Sequence, residues 1–130
     1  MTLDFLLIIA AVVIIVFMIK RAGQISPLAA LAHLKQGALV IDVRSAGEFK
    51  SGHLPQAINI PVDEIESILP ARVPDKHQVL LLHCLSGTRS GIAKIRLKRM
   101  GYPNVYNLGT YGRAKEILKK AGLNSQLKGK

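Results

Sequence analysis

The chain opens with an unbroken apolar run. From Phe5 to Ile19, FLLIIAAVVIIVFMI, no residue is polar. With Leu3 and Asp4 the stretch is 17 residues long and carries one charge near its outer end. At about 1.5 Å per residue it spans roughly 25 Å, the short end of a membrane crossing. Lys20 and Arg21 follow directly and can snorkel to extend its reach. A secretory signal carries its positive charge before the apolar run and small residues after it. Here Asp4 precedes the run, Lys20-Arg21 follow it, and no Ala-x-Ala pattern closes it. The pattern predicts an uncleaved anchor helix over residues 3–20. By the positive-inside rule its N-terminus lies outside and the remaining chain in the cytoplasm. The competing reading is a buried core helix, which needs a larger protein around it.

Beyond residue 20 the pattern changes to short apolar runs alternating with helical spacing. Residues 21–25 read as a linker. Ser26-Pro27 reads as an N-cap followed by proline in the first turn, and the helix LAALAHLKQ stops at Gly37. ALVIDV, 38–43, is apolar on both faces, as a buried parallel strand requires. A short helix over 45–49 and a turn at Ser51-Gly52 lead to a second strand, AINIP, 57–61. DEIESIL, 63–69, places Ile65, Ile68 and Leu69 on one helical face. QVLLLHC, 78–84, is the most strand-like run. The segment 89–100 reads as a basic helix with Ile92, Ala93, Ile95, Leu97 and Met100 available for burial. NVYNL, 104–108, is a further strand, and 111–121 a last helix closed by Gly122. Strands alternating with helices predict an α/β domain over 26–122 with a mostly parallel central sheet flanked by helices. Residues 123–130 read as a frayed tail.

Charge and cysteine count then narrow the chemistry. All 18 Lys and Arg and seven of the eight acids lie in residues 20–130, a formal charge of +11 for that part. A basic domain tethered to an anionic leaflet is held close to it. Nucleic-acid binding is the other use of such charge, but there is no Trp and no interleaving of aromatics with the basic residues, so none is expected. The single Cys excludes an internal disulfide framework and leaves an inert core residue or a reactive thiol. A free thiol suits a reducing compartment.

That cysteine lies in HCLSGTRS, 83–90, between a strand and a helix. Carboxyl ends of strands meeting helix N-termini form the usual ligand site of an open α/β sheet. Successive amides can form an anion nest, and the helix N-terminus and Arg89 add positive potential. All three favour thiolate, so Cys84 is expected to have a depressed pKa. Gly87 gives the turn access to positive φ. Ser86, Thr88 and Ser90 offer hydroxyl donors.

The residues from 25 to 120 resemble, in order, the single-domain rhodanese family of sulfurtransferases. IDVRSAGEFKSGHLPQAINIP, 41–61, resembles its Asp-Val-Arg, acidic-aromatic pair, Gly-His and Ala-x-Asn-Ile-Pro region. HCLSGTRS resembles its active-site loop, and VYNLGTYGRAKEI its closing strand and helix. The resemblance implies a rhodanese-like α/β fold behind one transmembrane helix. It implies that Cys84 takes up a sulfane sulfur as a persulfide. Backbone amides of Leu85, Ser86, Gly87, Thr88 and Arg89 would hold the terminal sulfur, and Arg89 would help bind the anionic donor. Four residues between Cys84 and Arg89 is the spacing of the sulfur-handling members, and related phosphatases have one more. The implied donor is thiosulfate or a persulfide, the acceptor a thiol or cyanide. No cofactor and no metal is implied, and no residue spacing suggests a metal site. The anchor suggests a membrane-protein partner. Two departures stand out: Gly109 is followed by Thr110-Tyr111-Gly112 rather than a second glycine, and Trp is absent, so the pocket rim is expected to differ.

Other residues carry weaker signals. Asp42 and Arg44 read as structural, with Arg44 pairing to Glu48 and Asp42 bracing the loop, or else as direct substrate contacts. His53 reads as a turn or packing residue. His83 would suit a general base for Cys84, but adjacent strand residues point to opposite faces. His33 and His77 read as surface positions. Three functions remain open: a sulfurtransferase, a binding or sulfur-carrier module for a membrane partner without turnover of its own, and a phosphatase.

Overall fold

The structure is a computed structural model and describes residues 2–122; the expected tail at 123–130 lies outside the described residues. The chain begins with α1 (Thr2–Ala22) and α2 (Pro27–Lys35). It continues through β1 (Leu39–Asp42), α3 (Ala46–Ser51), β2 (Ile58–Asn59) and α4 (Ile65–Arg72). It closes with β3 (Leu80–His83), α5 (Thr88–Arg99), β4 (Val105–Gly109) and α6 (Tyr111–Lys120). The strands form one four-stranded sheet in the order β2-β1-β3-β4, and every pairing is parallel.

Burial follows from strand periodicity. Side chains alternate across a sheet, so Leu80 and Leu82 enter one core while Leu81 enters the other. Ile41 and Val43 join the first, on the side of α4 and α5; Val40 joins the second, on the side of α2 and α6. A central strand buried on both faces must be apolar throughout, and LLL meets that condition. Asn59 fixes the start of the site by donating from Nδ2 to the carbonyls of Asp42 and Arg44, both at 2.9 Å.

Local signals set the helix starts. Ser26 accepts from the Ala29 amide, with Pro27 in the first turn. Ser45 and Glu48 form a reciprocal capping box on α3, which satisfies two orphan amides at once. Three features differ from expectation. α4 starts and ends later than 63–69 and continues through Pro70. Proline there removes one helical hydrogen bond, and the buried Ile65 and Leu69 hold the helix across it. β2 is only two residues long. In α5 the buried stripe is Ser90, Ala93 and Leu97, so Ile92 and Ile95 face away from the sheet rather than into the core.

α1 has no buried residue. Among the described residues it is the helix long and apolar enough to cross a membrane, a property shared with signal sequences. It extends through Ala22, and the chain then docks on the domain. The Ile25 amide donates to Asn107 O at 2.9 Å, and Lys94 Nζ donates to Gly23 O at 3.4 Å.

Candidate functional site

Cys84 is the first residue after β3, and α5 begins four residues later. Its side chain is fully buried and unpaired as a thiol. The Gly87 amide donates to Cys84 Sγ at 3.0 Å, and Ser90 Oγ lies 3.4 Å from the same sulfur. Burial works against the thiolate. The Ser90 hydroxyl and the amides of Ser90, Gly87 and Ser86 favour it, and the pKa ends below its ordinary value. Hydrogen bonding therefore carries the effect that sequence reasoning had shared with the charge of Arg89.

Glycine is required twice here. Gly87 has φ +89 and Gly109 φ +94, where a side chain is strained. A Cβ on Gly87 would also press on the Gly109 backbone. The two glycines lie together because Ser86 bridges to Thr110 and the Tyr111 amide donates to Leu85 O at 3.2 Å. The loop is thus laced to the start of α6.

Asn107 is the brace that sequence reasoning missed. Its Nδ2 donates to Gly87 O at 3.1 Å, and its Oδ1 accepts from Gly109 N at 2.8 Å and from Ser90 Oγ at 2.7 Å. Ser90 has one hydroxyl proton for two acceptors, Asn107 Oδ1 and Cys84 Sγ. A charged sulfur attracts that proton more strongly than a neutral thiol does. The available signal was a lone amide within a strand otherwise suited to burial.

Arg89 makes a two-pronged pair with Glu48, Nη1 to Oε1 at 2.7 Å and Nη2 to Oε2 at 3.0 Å. This corrects the expected Arg44–Glu48 pairing. Arg44 instead clasps Asp42, with Nη2 2.7 Å from Oδ2 and Nε 3.0 Å from both oxygens. It also donates to Gly52 O and lies 4.7 Å over the Tyr111 ring. Tyr111 thus occupies part of the rim where the family pattern differs. His53 stacks on Phe49, with its Nδ1 2.8 Å from Phe49 O. His83 is fully buried, 3.9 Å from Asp42 Oδ2 and edge-on to Tyr111. Burial pushes its pKa down despite Asp42 and the Cys84 backbone, and among the described residues neither ring nitrogen has a hydrogen-bond partner of ordinary geometry.

Glu48 supplies a pH test of the Arg89 clamp. The hydrogen bond from Arg89, then that from the Ser45 amide, lowers its pKa from 4.5 to about 2. A depressed carboxyl stabilises the fold above its ordinary value, and the contribution disappears as pH falls from there through the folded value. The pair is one-third exposed, so solvent screening keeps the effect modest. Urea midpoints of the parent should therefore fall across pH 4.5 to about 2 more steeply than those of Glu48→Gln. Parallel curves would show that the clamp contributes nothing.

A four-stranded parallel sheet with a cysteine held by amides between a strand end and a helix start defines a thiol-loop α/β domain. The chain belongs to the rhodanese-like family: the sequence model of the Rhodanese-like domain matches residues 26–110. It is 41% identical over 69 residues to the thiosulfate sulfurtransferase PspE of Escherichia coli (strain K12). That match covers 53% of this chain and 66% of PspE. It is 35% identical to the tRNA uridine(34) hydroxylase of Sodalis glossinidius (strain morsitans), over 55% of this chain and 21% of that protein. Among solved structures, the human single-domain sulfurtransferase TSTD1 superposes with a TM-score of 0.63 at 31% identity. That superposition covers 72% of this chain and 96% of TSTD1.

Proposed function

We propose that this chain is a membrane-anchored sulfurtransferase that moves a sulfane sulfur through a persulfide on Cys84. Residues 3–20 serve as the anchor, 21–25 as the linker and 26–122 as the catalytic domain on the cytoplasmic side. One observation carries the chemistry: a thiol biased toward thiolate, with the Gly87 amide 3.0 Å from its sulfur. The Cys84 thiolate attacks the outer sulfur of thiosulfate. A new S–S bond forms, the old one breaks, and sulfite leaves with the electron pair. An acceptor thiolate then attacks the terminal sulfur and releases Cys84 as thiolate; cyanide as acceptor gives thiocyanate. No redox partner is required, and the kinetics are ping-pong.

In these roles the amides of residues 85–89 hold the terminal sulfur, and Arg89 exchanges its Glu48 partner for the anionic donor. Asp42, Arg44, Glu48 and His53 support the loop rather than touch substrate. Thiosulfate or a persulfide fits as donor, and a membrane protein fits as donor or acceptor.

The test is intact mass after incubation with thiosulfate. One added sulfur on Cys84, removable by a thiol, is the expected result. An unchanged mass with thiosulfate and with glutathione persulfide would refute the reading. The second reading, a carrier module without turnover, is favoured by the full burial of Cys84. It requires the sulfur adduct to form and then to persist in the presence of small thiols and cyanide.

A further inference from the structure

The exposed apolar residues of the domain are not scattered. Outside α1, the large hydrophobics exposed among the described residues are Leu28 at 81%, Leu85 at 59%, Ile92 at 41% and Ile95 at 55%. Two of them, Ile92 and Ile95, border the last turn of α1. Ile92 and Ile95 line a cleft together with Ile19 and Lys20. On the other side of the linker, Pro27 and Ser86, the neighbours of Leu28 and Leu85, line a second cleft with Phe17, Lys20 and Arg21. Ile92 and Ile95, with the cleft-lining neighbours of Leu28 and Leu85, thus form a collar around the point where the apolar helix meets the domain.

The charges match. Neither cleft has an Asp or Glu among its described lining, while Lys20, Arg21, Lys94 and Arg113 all contribute. Burial and the positive charge of Arg21 both push the Arg113 pKa down, so cations converge there without an acid between them. α5 carries Lys94, Lys98 and Arg99 beside its two exposed isoleucines and has no acid along its length, while its Arg96 pairs with Glu66 of α4 at 3.5 Å. Isoleucines flanked by cations on a helix face suit the boundary of an anionic bilayer, where apolar groups enter the acyl region and cations meet phosphates. The collar is also fixed to the helix end. Lys94 holds Gly23 O, Arg113 donates to Ile25 O, and the Gln24 amide fills the space a side chain at Gly109 would need.

We infer that the collar around Ile92 and Ile95 is a second membrane-contacting surface, which seats the domain on an anionic bilayer with the Cys84 loop at the headgroup layer. This rests on reading α1 as a membrane span. The active-site loop then faces the bilayer surface rather than open cytoplasm, and its donors and acceptors arrive along that surface.

The absence of Trp gives a clean probe. The full chain, carrying one Trp at a time, is reconstituted into phosphatidylcholine–phosphatidylglycerol vesicles that contain lipids brominated near the headgroup. Ile95→Trp and Ile92→Trp should lose emission to the bromines. His77→Trp, exposed at the opposite, amino-terminal end of the strands, should not. Phe17→Trp, on α1, reports insertion alone. An Ile95→Trp signal as bright as that of His77→Trp, with Phe17→Trp quenched, overturns the proposal and leaves the collar to a protein partner. An unquenched Phe17→Trp overturns the membrane reading of α1 and this inference with it.

Discussion

Cys84→Ser should abolish sulfur transfer while leaving the fold near its parental stability. Serine is smaller, fits the same space, and finds its donor and acceptor needs met by the Gly87 amide and Ser90. Its hydroxyl is not ionised at neutral pH and cannot carry sulfur as a disulfide-like adduct. The loss should be at least about a thousandfold, the scale on which removal of a covalent nucleophile is felt. Thiocyanate formed from thiosulfate and cyanide measures it, and urea unfolding checks the fold. The loop itself would remain intact in the variant, since Asn107, Thr110 and Tyr111 hold it independently of the sulfur. Comparable turnover by parent and variant would place the chemistry elsewhere. Inactivity accompanied by a large loss of stability would instead mark Cys84 as a packing residue.

The architecture was readable because its cause is local. LLL before His83 has the length and the all-apolar content of a strand buried on both faces, and Ser26-Pro27 marks a helix start within two residues. The loop around Cys84 was readable for the same reason, since Gly87 and the helix start lie within it. Pairings set by tertiary placement were not. Glu48 and Arg89 are 41 positions apart, and nothing near either residue chooses between Arg89 and Arg44 as the partner. Arg44 takes the nearer Asp42 because a strand end brings the two side chains to one side, two residues apart. Asn107 carries little signal in the sequence because its bonds to Gly87, Ser90 and Gly109 join different parts of the chain. Ile92 and Ile95 look like core positions in the sequence because helical spacing alone allows more than one apolar stripe on α5. The sheet selects the stripe of Ser90, Ala93 and Leu97.

Asp42→Ala should cost the domain about 3–5 kcal/mol, the range expected when one member of a buried ion pair is removed. Asp42 is fully buried and Arg44 nearly so. The carboxylate accepts from the Arg44 amide at 2.9 Å as well as from its guanidinium. Truncation leaves that guanidinium next to His83, whose pKa is lowered by burial and which cannot replace the lost charge. Gly52 O would be its one remaining hydrogen-bond acceptor among the described residues. Replacing both partners with apolar side chains, Asp42→Leu with Arg44→Met, should cost much less than Asp42→Ala alone, because no unpaired charge stays buried. Thermal unfolding of the full chain in detergent reads the difference, with Asp42→Ala lowering Tm by more than about 10 °C for a domain of this size. The comparison also separates the two readings of these residues. A structural clasp predicts that the double variant regains stability along with most of its sulfur-transfer rate. A direct substrate contact predicts regained stability without the rate, since the Arg44 guanidinium would be missing from the anion site however well the core repacked.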